Sequence, residues 1–203
     1  MKERPILFNA EMVRAVLDGR KTQTRRIRGL DEINKNPDVW IRSDLWDMDV
    51  SPRFNFLNKN LADEPFMTIG CPYGVPGDRL WVRETFGRNG CGCCPIHFRA
   101  TEPDWLNNSS NPSSQWFPPL HMSRGLSRIN LEIVSVRVER VQDISEDDAK
   151  AEGCSGMIEL RKDELMTLPQ HWFANLWDSI NEKKGFGWDM NPWVWVIEFK
   201  EVK

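Results

Sequence analysis

Gly19-Arg20-Lys21-Thr22-Gln23-Thr24-Arg25-Arg26 joins a short amphipathic pattern to a strand pattern, and the rest of the chain is read outward from it. These eight residues carry four cationic side chains and two threonine hydroxyls. Such a set is costly to bury and well suited to a polar or anionic ligand. On the N-terminal side, Asn9 is a good helix N-cap and Glu11 suits the positive end of the helix dipole. Met12, Val13, Val16 and Leu17 mark one apolar helical face. Gly19 supplies the left-handed residue that stops the helix. On the C-terminal side, residues 22–27 read as a strand helped by two β-branched threonines. Lys21 and Thr24 differ by an odd number of positions, so in one regular strand they point to opposite faces. They meet only if Lys21 belongs to the turn after Gly19 or if a bulge intervenes, and the turn is the expected arrangement.

The remaining elements follow from periodicity and turn chemistry. Residues 5–8 read as a short strand. Gly74-Val75-Pro76-Gly77-Asp78 is a turn signal leading into a strand over residues 79–86. Residues 96–100 read as another short strand, and residues 102–119, rich in Asn, Ser and Pro, as loop. The strongest strand covers residues 129–141. Its apolar positions run Ile129, Leu131, Ile133 and then shift phase to Val134, Val136, Val138, which predicts a bulge or bend near Ile133-Val134. Ser145 opens a short helix to about Glu152, with Asp148 completing an approximate capping box and Gly153 ending it. A longer helix over residues 168–181 turns Trp172, Phe173, Leu176, Trp177 and Ile180 to one side. The run Trp193-Val194-Trp195-Val196-Ile197 is apolar on both faces, so the strand over residues 193–200 belongs in the middle of a sheet. Residues 29–74 are polar and interrupted. Trp40, Ile41, Leu45, Trp46, Phe54, Phe56 and Leu61 are the expected anchors of that excursion, which must hold short elements of its own.

A chain of 203 residues with 40% hydrophobic and 28% charged residues fits one packed domain and excludes global disorder. The net charge of −3 argues against a general nucleic-acid coat protein but leaves room for a local basic site at residues 20–28. The charged N-terminus has no signal-peptide core behind it, and no stretch approaches the roughly 18 apolar residues of a membrane helix, so a cytoplasmic protein is expected. Ten tryptophans accompany one tyrosine, and indole N–H groups want partners, so several tryptophans are expected to line cavities. Three of the five cysteines lie in Cys91-Gly92-Cys93-Cys94, which in a reducing compartment suggests free thiols or metal ligands before disulfides.

Four candidate sites follow, each with a plainer alternative. Lys21 and Thr24 could be a base and a nucleophile, since a buried lysine beside Arg20, Arg25 or Arg26 loses its proton more easily. A solvated basic strand edge accounts for the same composition. Glu152 at a helix C-terminus opposes the dipole, which suits a general acid. An ordinary surface glutamate beside Glu146, Asp147 and Asp148 is the alternative. Cys91, Cys94 and His97, with Cys71, have zinc-ligand residue types, against a plain loop with free thiols. Trp116, His121 and Arg124 could form one wall of a polar pocket with stacking capacity, although a lone histidine is more often structural.

Gly19, Lys21, Thr24 and Arg26 resemble the Gly-x-Lys-x-x-Thr-x-Arg signature of ASCH domains, a branch of the PUA-like superfamily. Gly77-Asp78-Arg79-Leu80-Trp81-Val82, the segment from Ile144-Ser145 to Ala151-Glu152, and Val196-Ile197-Glu198-Phe199-Lys200 resemble further family segments in the same order. The resemblance skips two insertions, at about 29–75 and 87–127. It implies an α+β fold: a PUA-like β-pseudobarrel with flanking helices and long loop insertions, built as a single domain over residues 1–203. The motif is similar to that of small bacterial N4-acetylcytidine amidohydrolases. The Leu80 to Phe86 and His121-Met122 segments also resemble larger ASCH proteins of phages and prophages.

That resemblance implies hydrolysis of an amide on a modified nucleoside or nucleobase, with Thr24 as nucleophile, Lys21 as base and Glu152 as proton donor. Arg26, Trp81, Glu84 and His121 would hold the substrate, and no cofactor is required. The family attaches no metal role to Cys91, Cys94 or His97. The alternative is a non-catalytic module that reads RNA or modified DNA, because PUA-like folds host readers as well as enzymes.

Overall fold

Trp193 to Ile197 sends alternate side chains into two different cores, and this places everything else. The computed structural model describes residues 1–43, 53–60, 66–89, 95–154 and 167–202. Its strands are β1 (Glu3–Leu7), β2 (Gln23–Arg26), β3 (Trp40–Ser43), β4 (Arg53–Asn58), β5 (Phe66–Gly70), β6 (Arg79–Arg83), β7 (Phe86–Asn89), β8 (His97–Phe98), β9 (Ser114–Phe117), β10 (Asn130–Arg140) and β11 (Trp193–Val202). The helices are α1 (Ala10–Leu17), α2 (Asp31–Asn34), α3 (Trp105–Asn108), α4 (Glu146–Ala151) and α5 (Leu168–Asn181). Because a strand turns successive side chains to opposite faces, Trp193, Trp195, Ile197 and Phe199 enter a core shared with α1. Val194 and Val196 enter a second core with Phe173, Trp177 and Trp188 beneath α5.

The main sheet has the order β1-β6-β10-β11-β2, with β11 inside it as its two apolar faces require. β1 and β6 run parallel, and the other pairings in the sheet are antiparallel. Two further antiparallel sheets, β3-β4-β5 and β8-β7-β9, complete an α+β architecture. Among the described residues no sheet closes into a barrel. The main sheet nevertheless curls: Arg26 on one edge strand, β2, donates through Nη2 to the Leu7 carbonyl on the other, β1, at 3.0 Å. Among the described residues no helix is long and apolar enough to cross a membrane.

Each sequence insertion contains a small sheet. The first carries β3-β4-β5, which lays Phe54 edge-on against Trp195 and Phe56 against Trp193, with ring centroids 5.2 and 5.3 Å apart. Trp40 also packs on this core, whereas Ile41 is 45% exposed and anchors nothing. Leu45, Trp46 and Leu61 lie outside the described residues. The second carries β8-β7-β9, and α3 and β9 occupy the stretch read as loop. The segment read as one strand over residues 79–86 is two, because Glu84 is held by both Nε and Nη2 of Arg128, at 2.9 and 3.0 Å, where the chain leaves the main sheet. Trp105 fits because residue 87 is glycine, where an added Cβ would stand 2.3 Å from its ring.

The expected irregularity in the long strand is present: the β10–β11 register shifts between Ile133 and Ser135. It frees the Ile133 backbone to bond the Gly77-Asp78 turn, with Gly77 N–H donating to Ile133 O and Ile133 N–H to Asp78 O, each at 2.9 Å. The Asp78 carboxylate accepts from the Lys2 amide at 2.6 Å and from Arg4 Nη1 at 2.7 Å. One turn therefore fixes the start of β1, the start of β6 and the bulge of β10. Burial acts to raise the Asp78 pKa, but the Lys2 amide and the Arg4 guanidinium outweigh it and hold the carboxyl below its ordinary 3.8. Stability from a lowered carboxyl is present above the ordinary value and is lost as pH falls through the folded one. Asp78→Asn is expected to cost about 1–3 kcal/mol at pH 7, read by urea unfolding, with the difference from wild type shrinking below pH 3.8.

Candidate active site

Local chemistry delivers Lys21 and Glu152 to one point. Asn9 caps α1 by accepting from the Met12 amide at 2.8 Å. At the far end Gly19 takes φ +71°, and the amides of Arg20 and Lys21 both donate to Ala15 O at 2.9 Å. Lys21 thus lies in the turn, the expected arrangement, and β2 begins only at Gln23. Ser145 caps α4 by accepting from the Asp148 amide at 3.1 Å. The helix ends at Glu152, which forms an isolated antiparallel bridge with Lys21. Gly153 follows at φ +100°, where a Cβ would stand 2.9 Å from Ala15 Cβ and 3.3 Å from Lys21 Cβ. Only glycine lets the end of α4 close on α1 and the turn.

The ionic groups are enclosed. Lys21 Nζ, with no exposed side-chain surface, donates to Glu152 Oε2 at 2.5 Å and to Glu152 O at 3.0 Å. Burial lowers the Lys21 pKa from 10.5; Glu152 opposes this, while Arg26 and Arg25 add to it. Arg25 is equally enclosed and reaches three carboxylates: Glu139 at 2.5 Å, Asp148 at 3.1 Å and Glu152 at 3.3 Å. Gln23 Nε2 donates to both O and Oδ1 of Asp148 at 2.8 Å, and Arg137 bonds Asp148 at 2.8 Å and Glu139 at 3.1 Å. Burial acts to raise the Asp148 pKa, but Gln23, Arg25 and Arg137 together bring it below 3.8.

Thr24 is 1% exposed, and its Oγ1 has no hydrogen-bond partner among the described residues. It opens on a cavity of about 370 Å3 whose walls include Glu152, Arg26, Tyr73, Phe173 and Trp177. The cavity lies in the gap between the edge strands, since Pro5, Ile6 and Leu7 of β1 also line it. A smaller cavity of about 190 Å3 meets Glu152 from the side of Arg20 and Trp172. Lys21 stands behind Glu152 and is not on the wall of the larger cavity. No hydrogen bond joins Lys21 to Thr24. Arg26 is on the wall, its guanidinium 5.5 Å from the Phe8 ring centroid.

The other residues expected to bind substrate lie elsewhere. Trp81 is buried in β6 beneath the Arg83 guanidinium, 4.6 Å away, and Glu84 is engaged by Arg128. His121 is exposed in a 3-10 turn over Pro119–His121, Arg124 pairs with Glu3 at 2.9 Å, and Trp116 packs edge-on against Trp105. The wall expected from Trp116, His121 and Arg124 therefore does not line this cavity. His97 bonds Glu102 at 2.7 Å and stacks on Trp105. Cys91 and Cys94 lie outside the described residues, and among the described residues no three His, Cys, Asp or Glu side chains are placed to hold a metal. Cys71 is half-buried, and burial pushes its thiol up to about 11.

Sequence reading missed Tyr73 and the role of α5. The signal for α5 was available, since Phe173 and Trp177 are one helical turn apart on its apolar face. The carboxylates of Glu139 and Asp148 give no such signal, because they reach Arg25 from β10 and α4. No protein-family model, curated protein or solved structure matches the chain.

A buried ion pair broken on one side leaves an uncompensated charge. Glu152→Gln is therefore expected to cost on the order of 3–5 kcal/mol in urea unfolding. The double variant Lys21→Met/Glu152→Leu should recover most of that loss, and a double variant as unstable as the single one would count against the pair as the cause.

Proposed function

We propose that the chain is an amidohydrolase of a modified nucleoside or nucleobase, N4-acetylcytidine in the simplest case, on a PUA-like pseudobarrel of the ASCH kind. The pseudobarrel is supported by the curled main sheet, whose edges approach at Arg26 and Leu7. The observation that carries the chemistry is Thr24, its buried hydroxyl without a partner among the described residues, on the same cavity as Glu152, with Lys21 2.5 Å behind that carboxylate.

In this reading Phe173, Trp177 and Tyr73 stack on the base and Thr24 faces the acyl carbon. Burial favours the neutral form of Lys21, whose proton passes to Glu152 and leaves an amine and a carboxylic acid in one step. The flexible lysine stem then turns Nζ from Glu152 toward Thr24. Thr24 Oγ1 bonds to the acyl carbon while Lys21 takes its proton. The carbon–nitrogen bond breaks as Glu152 protonates the leaving amine, and Lys21 and Glu152 are again an ion pair. A second transfer of the lysine proton to Glu152 readies them for water. Water attacks the threonyl ester, Lys21 takes its proton, and Glu152 returns one to Thr24. The products are the free amine and a carboxylic acid.

A binding module that reads a modified base is the second reading. Its support is the absence of a Lys21–Thr24 hydrogen bond. Release of cytidine from N4-acetylcytidine separates the two. Thr24→Ala and Lys21→Arg are expected to lower the rate by about 10²–10⁴-fold, the usual worth of an acid–base group or more. Because the pair must keep one proton for Glu152 to donate, the rate should fall as pH rises through the lowered Lys21 pKa, an inflection below 10.5. Tight binding without release by the wild type would favour the reader.

A further inference from the structure

The cavity separates its charges by depth. On its inner side Arg25 is neutralised by three carboxylates, and Glu152, a wall carboxylate, is already held by Lys21 and Arg25. Toward solvent the balance is lost. Arg28 and Lys184 both line the cavity and are exposed, and neither has a carboxylate partner among the described residues. Arg26, deeper and half-buried, spends its bonds on the backbone carbonyls of Leu7 and Arg25 and forms no ion pair among the described residues, the Glu152 carboxylate acting on it only through space. Three cations therefore face one opening without an ion-pair partner among the described residues. Asn181, 7% exposed, lines the same cavity, and its side-chain amide has no hydrogen-bond partner among the described residues. A carboxamide offers both donor and acceptor, the complement of a base edge. The volume of about 370 Å3 falls in the range of small-molecule sites, roughly 300–1,000 Å3.

We propose that this cavity takes a phosphorylated nucleoside, a mononucleotide whose phosphate lies at the mouth between Arg28 and Lys184 with Arg26 behind it, and whose base edge meets Asn181. The proposal rests on the preceding reading for the choice of a nucleoside, and on the unbalanced cations for the phosphate. Guanidinium and phosphate pair through charge-assisted, often bidentate bonds, and an ammonium adds a mobile point charge. The side chains of Arg28 and Lys184 are exposed and make no hydrogen bond or ion pair among the described residues, so they can be removed without disturbing the enclosed network.

The test is a calorimetric titration of the wild-type protein with each of the four common nucleosides and its 5′-monophosphate, none of which carries an acyl group to be hydrolysed. At least one monophosphate should bind about tenfold or more tightly than its nucleoside, the worth of one charged hydrogen bond or more. The preference should shrink between about 0.1 and 1 M salt, as the screening length falls from about 10 to 3 Å. Arg28→Ala/Lys184→Ala should abolish the preference and leave nucleoside affinity unchanged. Equal affinities, no binding of either ligand, or a preference that survives the double substitution would overturn the proposal. A trinucleotide binding more tightly than any monophosphate would overturn it in favour of a polymer. Cytidine release from N4-acetylcytidine is read separately: its absence with the phosphate preference intact would remove the hydrolase and leave this site standing.

Discussion

The contact between Lys21 Nζ and Glu152 Oε2 is the constraint on which the site's architecture depends. Two charges with almost no exposed surface are tolerable only when each is fully partnered, and both ends meet that condition. Lys21 takes the carboxylate and the carbonyl of one residue, and Glu152 takes Lys21 and Arg25. The contact requires the turn after α1 and the end of α4 to approach at backbone distance, which only Gly153 permits. It also fixes the start of β2, and with it the wall on which Thr24 stands.

Much of this was legible in the amino-acid sequence, for identifiable reasons. The stop signal of Gly19 after the apolar helical face leaves Lys21 in the turn. The phase shift at Ile133-Val134 marks a bulge, and the double-faced Trp193 to Ile197 run must be interior. Each inference uses a local periodicity that tertiary structure has little freedom to override. The two inserted sheets were not legible, because their short strands are defined by partners and by what lies beneath them. Phe54 and Phe56 hold a sheet against Trp195 and Trp193, yet nothing in their own spacing says so. Trp81, Glu84 and His121 show the opposite limit. Linear order places them in the right segments, but which side of a curled sheet opens into a cavity depends on α5, far away in sequence.

The same distance explains the separation of charge. Residues 20–28 read as a uniformly basic stretch, yet folding sorts them individually. Arg25 goes inward to three carboxylates, Arg26 lies against Phe8 between the sheet edges, and Arg28 turns out to solvent. Composition gives their number; carboxylates brought up by folding, Glu139, Asp148 and Glu152 around Arg25 and Lys21, decide which are paired.

The approach of the two sheet edges carries one more consequence. β1 and β2 are each paired on one side only, and their unpaired sides flank the cavity. An open strand edge ordinarily invites another chain to add to it. Here the edges converge on a cavity of about 370 Å3, and Arg26 bridges it to Leu7. The protein thus turns both edges of its own sheet toward one cavity and away from neighbours. The Leu7 carbonyl faces that space, so a ligand entering it would meet main chain whose character no side-chain substitution in β1 can change.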